Sequence, residues 1–319
     1  MPHEGVLMKS LKLVAGCCLL GLFSSSLLAA EDASCQKARI GLVGWTDVVA
    51  TTAVASTLLD GLGYTTTQTT ASQQIVFSGI SKNQIDFFLG YWKPAMDDNI
   101  KPFLDKGVVK VSAEPSLADA IATLAVPSYA AEAGLKTFAD IAKFKDQLDG
   151  KIYGIEPGTG ANTNIQKMID SNQFGLGGFK LIESSEAAML AAVSRAVKRE
   201  RPIVFVGWKP HPMNLQMELT YLTGSQDVFG ANEGAATVWT VAAPTYAERC
   251  PNVDRLLGNL SFSSAQESEM MKPIMDRKEP KDVARQWLKD NPQELSRFLA
   301  GVTTFDGKDG AAAVQAALK

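Results

Sequence analysis

Histidine and cysteine are nearly missing from this chain. Of 319 residues, only His3 and His211 are histidine, and only Cys17, Cys18, Cys35 and Cys250 are cysteine. A zinc centre needs three or four such ligands at short spacing, and the sequence offers none. A Ser-His-Asp triad would have to use His211, and no Gly-x-Ser-x-Gly elbow presents a serine to it. Flanked by Pro210 and Pro212, His211 reads instead as a rigid structural hydrogen-bonder. No run of five basic residues occurs and the formal net charge is −3, so nucleic-acid binding has no electrostatic footprint. The Gly158-Thr159-Gly160 turn lacks the Gly-Lys-Ser/Thr of a phosphate loop. Beyond residue 30 no segment approaches the 18 apolar residues of a membrane span. There is also no low-complexity linker and no solenoid period.

What is present begins with a leader. Lys9 and Lys12 precede an apolar stretch, Leu13 to Leu28, which ends in Ala29-Ala30 before Glu31-Asp32. Residues 1–30 therefore read as a secretory signal peptide cleaved after Ala30, with Met8 as an alternative start to Met1. A lipid anchor at Cys17, in Val14-Ala15-Gly16-Cys17, is the disfavoured alternative. The residues after Cys17 continue the apolar stretch where a polar tether is expected. After cleavage Cys35 and Cys250 remain, and an even pair in an exported chain suggests one disulfide. It would close a loop of roughly 215 residues, which the chain-entropy model rates at about 5 kcal/mol before strain. The alternative is two unpaired buried thiols.

From residue 38 onward short apolar runs alternate with helical patterns. Strands are expected over 38–43, 64–70, 85–89, 151–155, 179–182 and from Ile203 to Val206. Helices are expected over 48–62, 74–81, 137–145, 162–172 and 185–199. This alternation argues for an α/β fold with a largely parallel sheet. Two segments, 120–130 and 236–247, resemble each other as strand, proline and helix start. They bracket a complete α/β unit and read as paired crossover strands between two lobes. After Tyr246 the pattern is mostly helical.

Trp45, Trp92 and Trp208 each follow an apolar run on a glycine-anchored turn: Gly44-Trp45-Thr46-Asp47, Gly90-Tyr91-Trp92-Lys93-Pro94 and Gly207-Trp208-Lys209-Pro210. That places them just past the carboxyl ends of strands, where open α/β sheets put ligands. Several indole faces meeting at one point would cage a cation that cannot donate hydrogen bonds, such as a quaternary ammonium. Asp47 could neutralise that cation, cap the helix that follows, or do both. Thr159 or Asn162 can cap the helix opening after Gly158, leaving backbone N–H groups for an anion or hydroxyl, and both are expected to be ligand-binding residues.

These stretches, together with Lys151-Ile152-Tyr153-Gly154-Ile155-Glu156-Pro157-Gly158, Val206 to Asn214, and Gly301 to Gly307, resemble the periplasmic substrate-binding proteins of ABC importers for choline, glycine betaine and carnitine. The resemblance runs from about residue 36 to 306. It implies a two-lobed periplasmic-binding-protein fold of type II with a Venus-flytrap hinge. Lobe 1 would be 36–120 plus 237–319, and lobe 2 would be 121–236. It implies an aromatic box of Trp45, Trp92 and Trp208 with Asp47 nearby, a Cys35–Cys250 disulfide, and no cofactor or catalytic residue. The partners it implies are a quaternary amine and an ABC permease in the inner membrane, met by a monomer in the periplasm. Two positions depart from choline-binding members. A tyrosine wall is Ala122 here, and an asparagine near the ligand hydroxyl is Thr159. Both changes remove volume, so a roomier pocket is expected, with carnitine or glycine betaine ahead of choline and Lys93 available for a carboxylate. The alternative from another class is an exported choline-ester hydrolase. A sensor domain would need a signalling segment that does not follow the lobes.

Overall fold

The computed structural model describes residues 1–3 and 31–319. The apolar leader, the cleavage point after Ala30 and Cys17 lie outside the described residues. Ten strands are formed: β1 (Lys37–Leu42), β2 (Thr65–Thr70), β3 (Phe87–Lys93), β4 (Lys110–Val111), β5 (Leu117–Pro127), β6 (Lys151–Tyr153), β7 (Lys180–Ile182), β8 (Phe205–Lys209), β9 (Leu219–Tyr221) and β10 (Ala235–Ala242). They make one mixed sheet in the order β2-β1-β3-β10-β5-β8-β6-β7, with β4 on β10 and β9 on β5.

The order is a near-mirror image about its centre. β1 runs parallel to β2 and β3 on one side, and β6 runs parallel to β7 and β8 on the other. Between these groups β10 and β5 pair antiparallel with each other, with Ala235 opposite Ile121 and Ala236 opposite Ala120. β10 also pairs antiparallel with β3, and β5 with β8. The two segments read as crossovers are thus adjacent strands at the middle of the sheet. Pro127 ends β5, because proline has no N–H to continue a ladder, and a short helix Ser128–Glu132 follows.

The helix Thr46–Gly61 follows β1, and the helix Gly160–Asp170 follows β6 in the corresponding place. The first is buried along nearly its whole length. Its aliphatic residues are spread around the axis, and Thr51, Thr52, Ser56 and Thr57 are buried among them, as a helix enclosed on all sides allows. It packs on the helices Ser264–Met275, Pro280–Asp290 and Gly310–Leu318 from the end of the chain. A disulfide joins Cys35 to Cys250 with Cα atoms 5.6 Å apart, so the chain entering β1 is fixed to the start of the helix Pro251–Asn259.

Two strands are displaced from their expected positions. β3 and β8 run through Gly90 and Gly207, where the sequence pattern predicts turn glycines. Trp92 and Trp208 are therefore the penultimate residues of strands and do not lie on turns beyond them. At Gly207 the reason is close approach. A Cβ there would stand 2.7 Å from the Ala125 Cβ on β5, so glycine lets the two strands pack without bending either. Trp45 does lie beyond its strand, at the N-cap position of the helix Thr46–Gly61.

Candidate functional site

The carboxyl ends of β1, β3, β6 and β8 meet around one chamber of about 50 Å³. A single water needs about 10–15 Å³ by the same measure, so this is space for a small headgroup. Trp45, Trp92 and Trp208 all line it, with Asp47, Ala122 and Thr159; Met96, Ile155 and Val206 fill much of the remaining wall. All three indoles are buried. Ala122 is the register partner of Trp208 across β5 and β8. On the other side of the mirror Val238 is the register partner of Trp92. Position 122 therefore stands beside a cage indole with only a methyl group.

Hydrogen bonds to carboxylates fix two of the rings. Trp45 Nε1 donates to Glu156 Oε2 at 2.8 Å, and Trp92 Nε1 donates to Asp47 Oδ2 at 3.0 Å. Trp208 packs edge-on against the His211 ring with centroids 4.7 Å apart. Each ring is thus held at its edge or by a neighbour, which suits a wall whose faces are to be used.

Asp47 is 3% exposed, and its Oδ1 has no hydrogen-bond partner. Burial, and then the nearby charge of Glu186, push its carboxyl up from 3.8 to about 7, against the Trp92 hydrogen bond that pulls it down. It does not cap its helix, contrary to one expectation from the sequence. The helix starts at Thr46, two residues before the expected Val48, and this puts Asp47 inside the first turn with Trp45 at the cap. A buried carboxylate with an unpartnered oxygen at an apolar wall is costly.

Thr159 caps the helix Gly160–Asp170, its hydroxyl accepting from the Asn162 N–H. Asn162 stands behind the wall and not in it. Its Oδ1 accepts from the Ile155 N–H, and its amide donates to the carbonyls of Ile155 and Glu156 and to Glu183. It straps the loop between β6 and its helix, and that occupies its polar groups. Lys93 also lies outside the wall. Its ammonium sits 4.9 Å from the centroid of Trp239 and 5.8 Å from that of Tyr91. His211 is the structural hydrogen-bonder expected, with Nδ1 accepting from the Met213 N–H and Nε2 facing Glu186.

The sequence reading singled out neither Glu156 nor Glu186. Glu156 lies inside a quoted motif, but nothing there marks its carboxylate for Trp45. Glu186 follows the N-cap Ser185, and an acid in a first helical turn is ordinary. Among the described residues no group of three or more His, Cys, Asp or Glu could hold a metal ion, and no helix is long and apolar enough to cross a membrane.

Comparison with known proteins bears on this geometry. Residues 36–290 match the family described as the substrate binding domain of ABC-type glycine betaine transport systems. A solved ABC-transporter choline-binding protein in complex with choline is 50% identical, with a TM-score of 0.88 over 91% of this chain and 100% of that one. The unliganded semi-closed form of an ABC-transporter choline-binding protein is likewise 50% identical, with a TM-score of 0.82 over 89% and 99% of the two chains. The glycine betaine/carnitine transport binding protein GbuC of Listeria monocytogenes is 30% identical over 164 residues, which is 51% of this chain and 54% of that protein. These relatives have the two-lobed periplasmic-binding-protein fold, and the sheet described above has it too. With most of its length matched by the family and a half-identical relative covered end to end, this chain belongs to the substrate-binding proteins of ABC-type glycine betaine and choline transport systems.

Proposed function

We propose that this protein captures a quaternary ammonium compound in the chamber between Trp45, Trp92 and Trp208 and delivers it to an ABC permease of the inner membrane. The observation that carries this reading is three buried indoles around one small chamber where Asp47, a buried carboxylate with one oxygen unbonded, is the ionisable wall residue among the described residues. Indole faces attract a diffuse cation. Without hydrogen-bond acceptors beyond Asp47 and Thr159 on the wall side chains, a primary ammonium would leave its N–H groups unsatisfied. In this reading residues 36–120 plus 237–319 form one lobe and 121–236 the other, and they close on the ligand from either side of β5 and β10. The protein works as a periplasmic monomer and needs no cofactor.

Within that class the wall chemistry favours choline over the order expected from sequence. Carnitine and glycine betaine carry a carboxylate, and among the described residues no basic side chain lines the chamber to receive it. A second negative charge beside Asp47 in an apolar site would be strongly disfavoured. The hydroxyl of choline can instead donate to a carboxylate oxygen. The half-identical choline-binding relative supports the same order. An ester hydrolase gains no support from these walls: the Thr159 hydroxyl is engaged as a helix cap, and His211 is bonded to Met213 and Glu186. Calorimetric titration with choline, carnitine, glycine betaine and ethanolamine tests the reading.

A further inference from the structure

Directly behind the aromatic wall lies a buried polar layer that ligand contact does not explain. Glu186, the first residue of the helix Glu186–Val197, is 4% exposed. Its Oε2 accepts from the Thr46 backbone N–H at 3.0 Å, and its Oε1 accepts from the Thr46 hydroxyl. The same Oε1 is 3.1 Å from His211 Nε2. The tautomer of His211 follows from its other nitrogen. Nδ1 accepts from the Met213 N–H at 3.0 Å, so it carries no proton, and Nε2–H donates to Glu186. Every neighbour of the Glu186 carboxylate named here is a donor. Its own backbone N–H donates to Glu156 Oε1 at 3.0 Å, and Glu156 Oε2 takes the Trp45 N–H.

The direction of these bonds is what matters. Trp45 and Thr46 follow β1. Glu156, Glu186 and His211 follow β6, β7 and β8. All three bonds made by Trp45 and Thr46 therefore cross from one side of the sheet's central pair to the other. They connect the chamber's two sides.

We propose that Glu186 and Glu156 form a latch that holds the two lobes together and fixes Trp45 for ligand capture, with Glu186 its principal positioning residue. The proposal rests on the cage reading above for its link to affinity. In an open protein both carboxylates would be hydrated, and Trp45 would lose the bond that sets its ring. In the closed protein an acceptor-only side chain is required at 186. Glu186→Gln keeps the shape but turns an NH2 group toward Thr46 or His211, both of which donate. A ligand entering the chamber then has to close the lobes without the latch. Its residence time falls while its preference among amines is kept, because residue 186 is not in the wall.

The test compares wild type, Glu186→Gln and Thr46→Val, two variants that weaken one contact from opposite sides. Small-angle scattering of the ligand-free proteins should show both variants shifted toward a larger radius of gyration than wild type. Stopped-flow release of choline should be faster by roughly 10–100-fold in Glu186→Gln, the loss expected for hydrogen bonds to a charged group. The double variant should cost less than the two single losses combined, since both remove one interaction. Unchanged scattering with additive losses would overturn the latch and leave Glu186 a local support of its own lobe. Should wild type bind no quaternary amine, the cage reading fails, and the scattering comparison still decides the latch.

Discussion

The indole N–H of Trp92 donates to Asp47 Oδ2 at 3.0 Å, while Asp47 Oδ1 has no partner. One side chain thus orients the Trp92 ring and keeps an unpartnered carboxyl oxygen at the wall of an apolar chamber. Burial and the nearby charge of Glu186 raise the Asp47 carboxyl to about 7, so binding of a cation beside it is expected to depend on pH.

Affinity should fall as pH drops through about 7. A cation binds the ionised form, so the expected loss is about tenfold per pH unit below that point, with a plateau above pH 8. The folded value lies above the unfolded 3.8, so the stability contribution has the opposite sense. It is fully present below about 3.8 and is lost as pH rises toward 7. Asp47→Asn should therefore raise the Tm of the ligand-free protein at pH 8 and flatten the pH profile of binding. Calorimetry and thermal melts from pH 5.5 to 8.5 check both, and a flat wild-type profile would mean Asp47 does not meet the cation.

Gly160 opens its helix against the carbonyl of Ala95, where a Cβ would stand only 1.8 Å from the Ala95 oxygen. Ala95 follows β3 and Gly160 follows β6, so this contact too lies between the sides of the chamber. Gly160→Ala should act as a wedge. Overpacking of about 1–3 kcal/mol would appear as roughly 5–150-fold weaker binding, with the Tm of the ligand-free protein little changed. Matched titrations and melts read this directly. Wild-type affinity in the variant would show that the approach is not part of the bound state.

Ala122, beside Trp208, puts only a methyl group where a fourth aromatic face could stand. Ala122→Tyr should add about 0.5–2 kcal/mol of cation–π attraction for a compact trimethylammonium and crowd out a longer ligand. The expected outcome is that choline gains relative to carnitine in paired titrations. If both affinities stay put, residue 122 does not face bound ligand.

Much of this was legible in the sequence because it was written in local signals. Alternating apolar runs and helical patterns gave the α/β architecture, and the two similar strand–proline segments marked the central pair. Trp45, Trp92, Trp208, Asp47 and Thr159 stand out in the sequence itself, Ala122 only through the family resemblance, and all six line one chamber. What was not legible depends on partners distant in the chain. Gly90 and Gly207 look like turn residues, and only strand packing makes them strand residues. Asn162 beside a glycine turn looks like a ligand group, and only the fold directs its amide to Ile155, Glu156 and Glu183. Lys93 is adjacent to Trp92 but, by strand alternation, reaches Trp239 instead. Glu186 takes its role from Thr46 and His211, 140 and 25 residues away.

The central claim is a site built for a cation without N–H groups and without a carboxylate. The most direct test is calorimetric titration of the purified protein, at pH 8, with choline and with ethanolamine, which differ only by the N-methyl groups. Carnitine and glycine betaine are run alongside. The account predicts tight saturable binding of choline, weaker binding of the two carboxylated amines, and no measurable heat from ethanolamine. Binding of ethanolamine as tight as choline, or of neither choline nor the other quaternary amines, would contradict it.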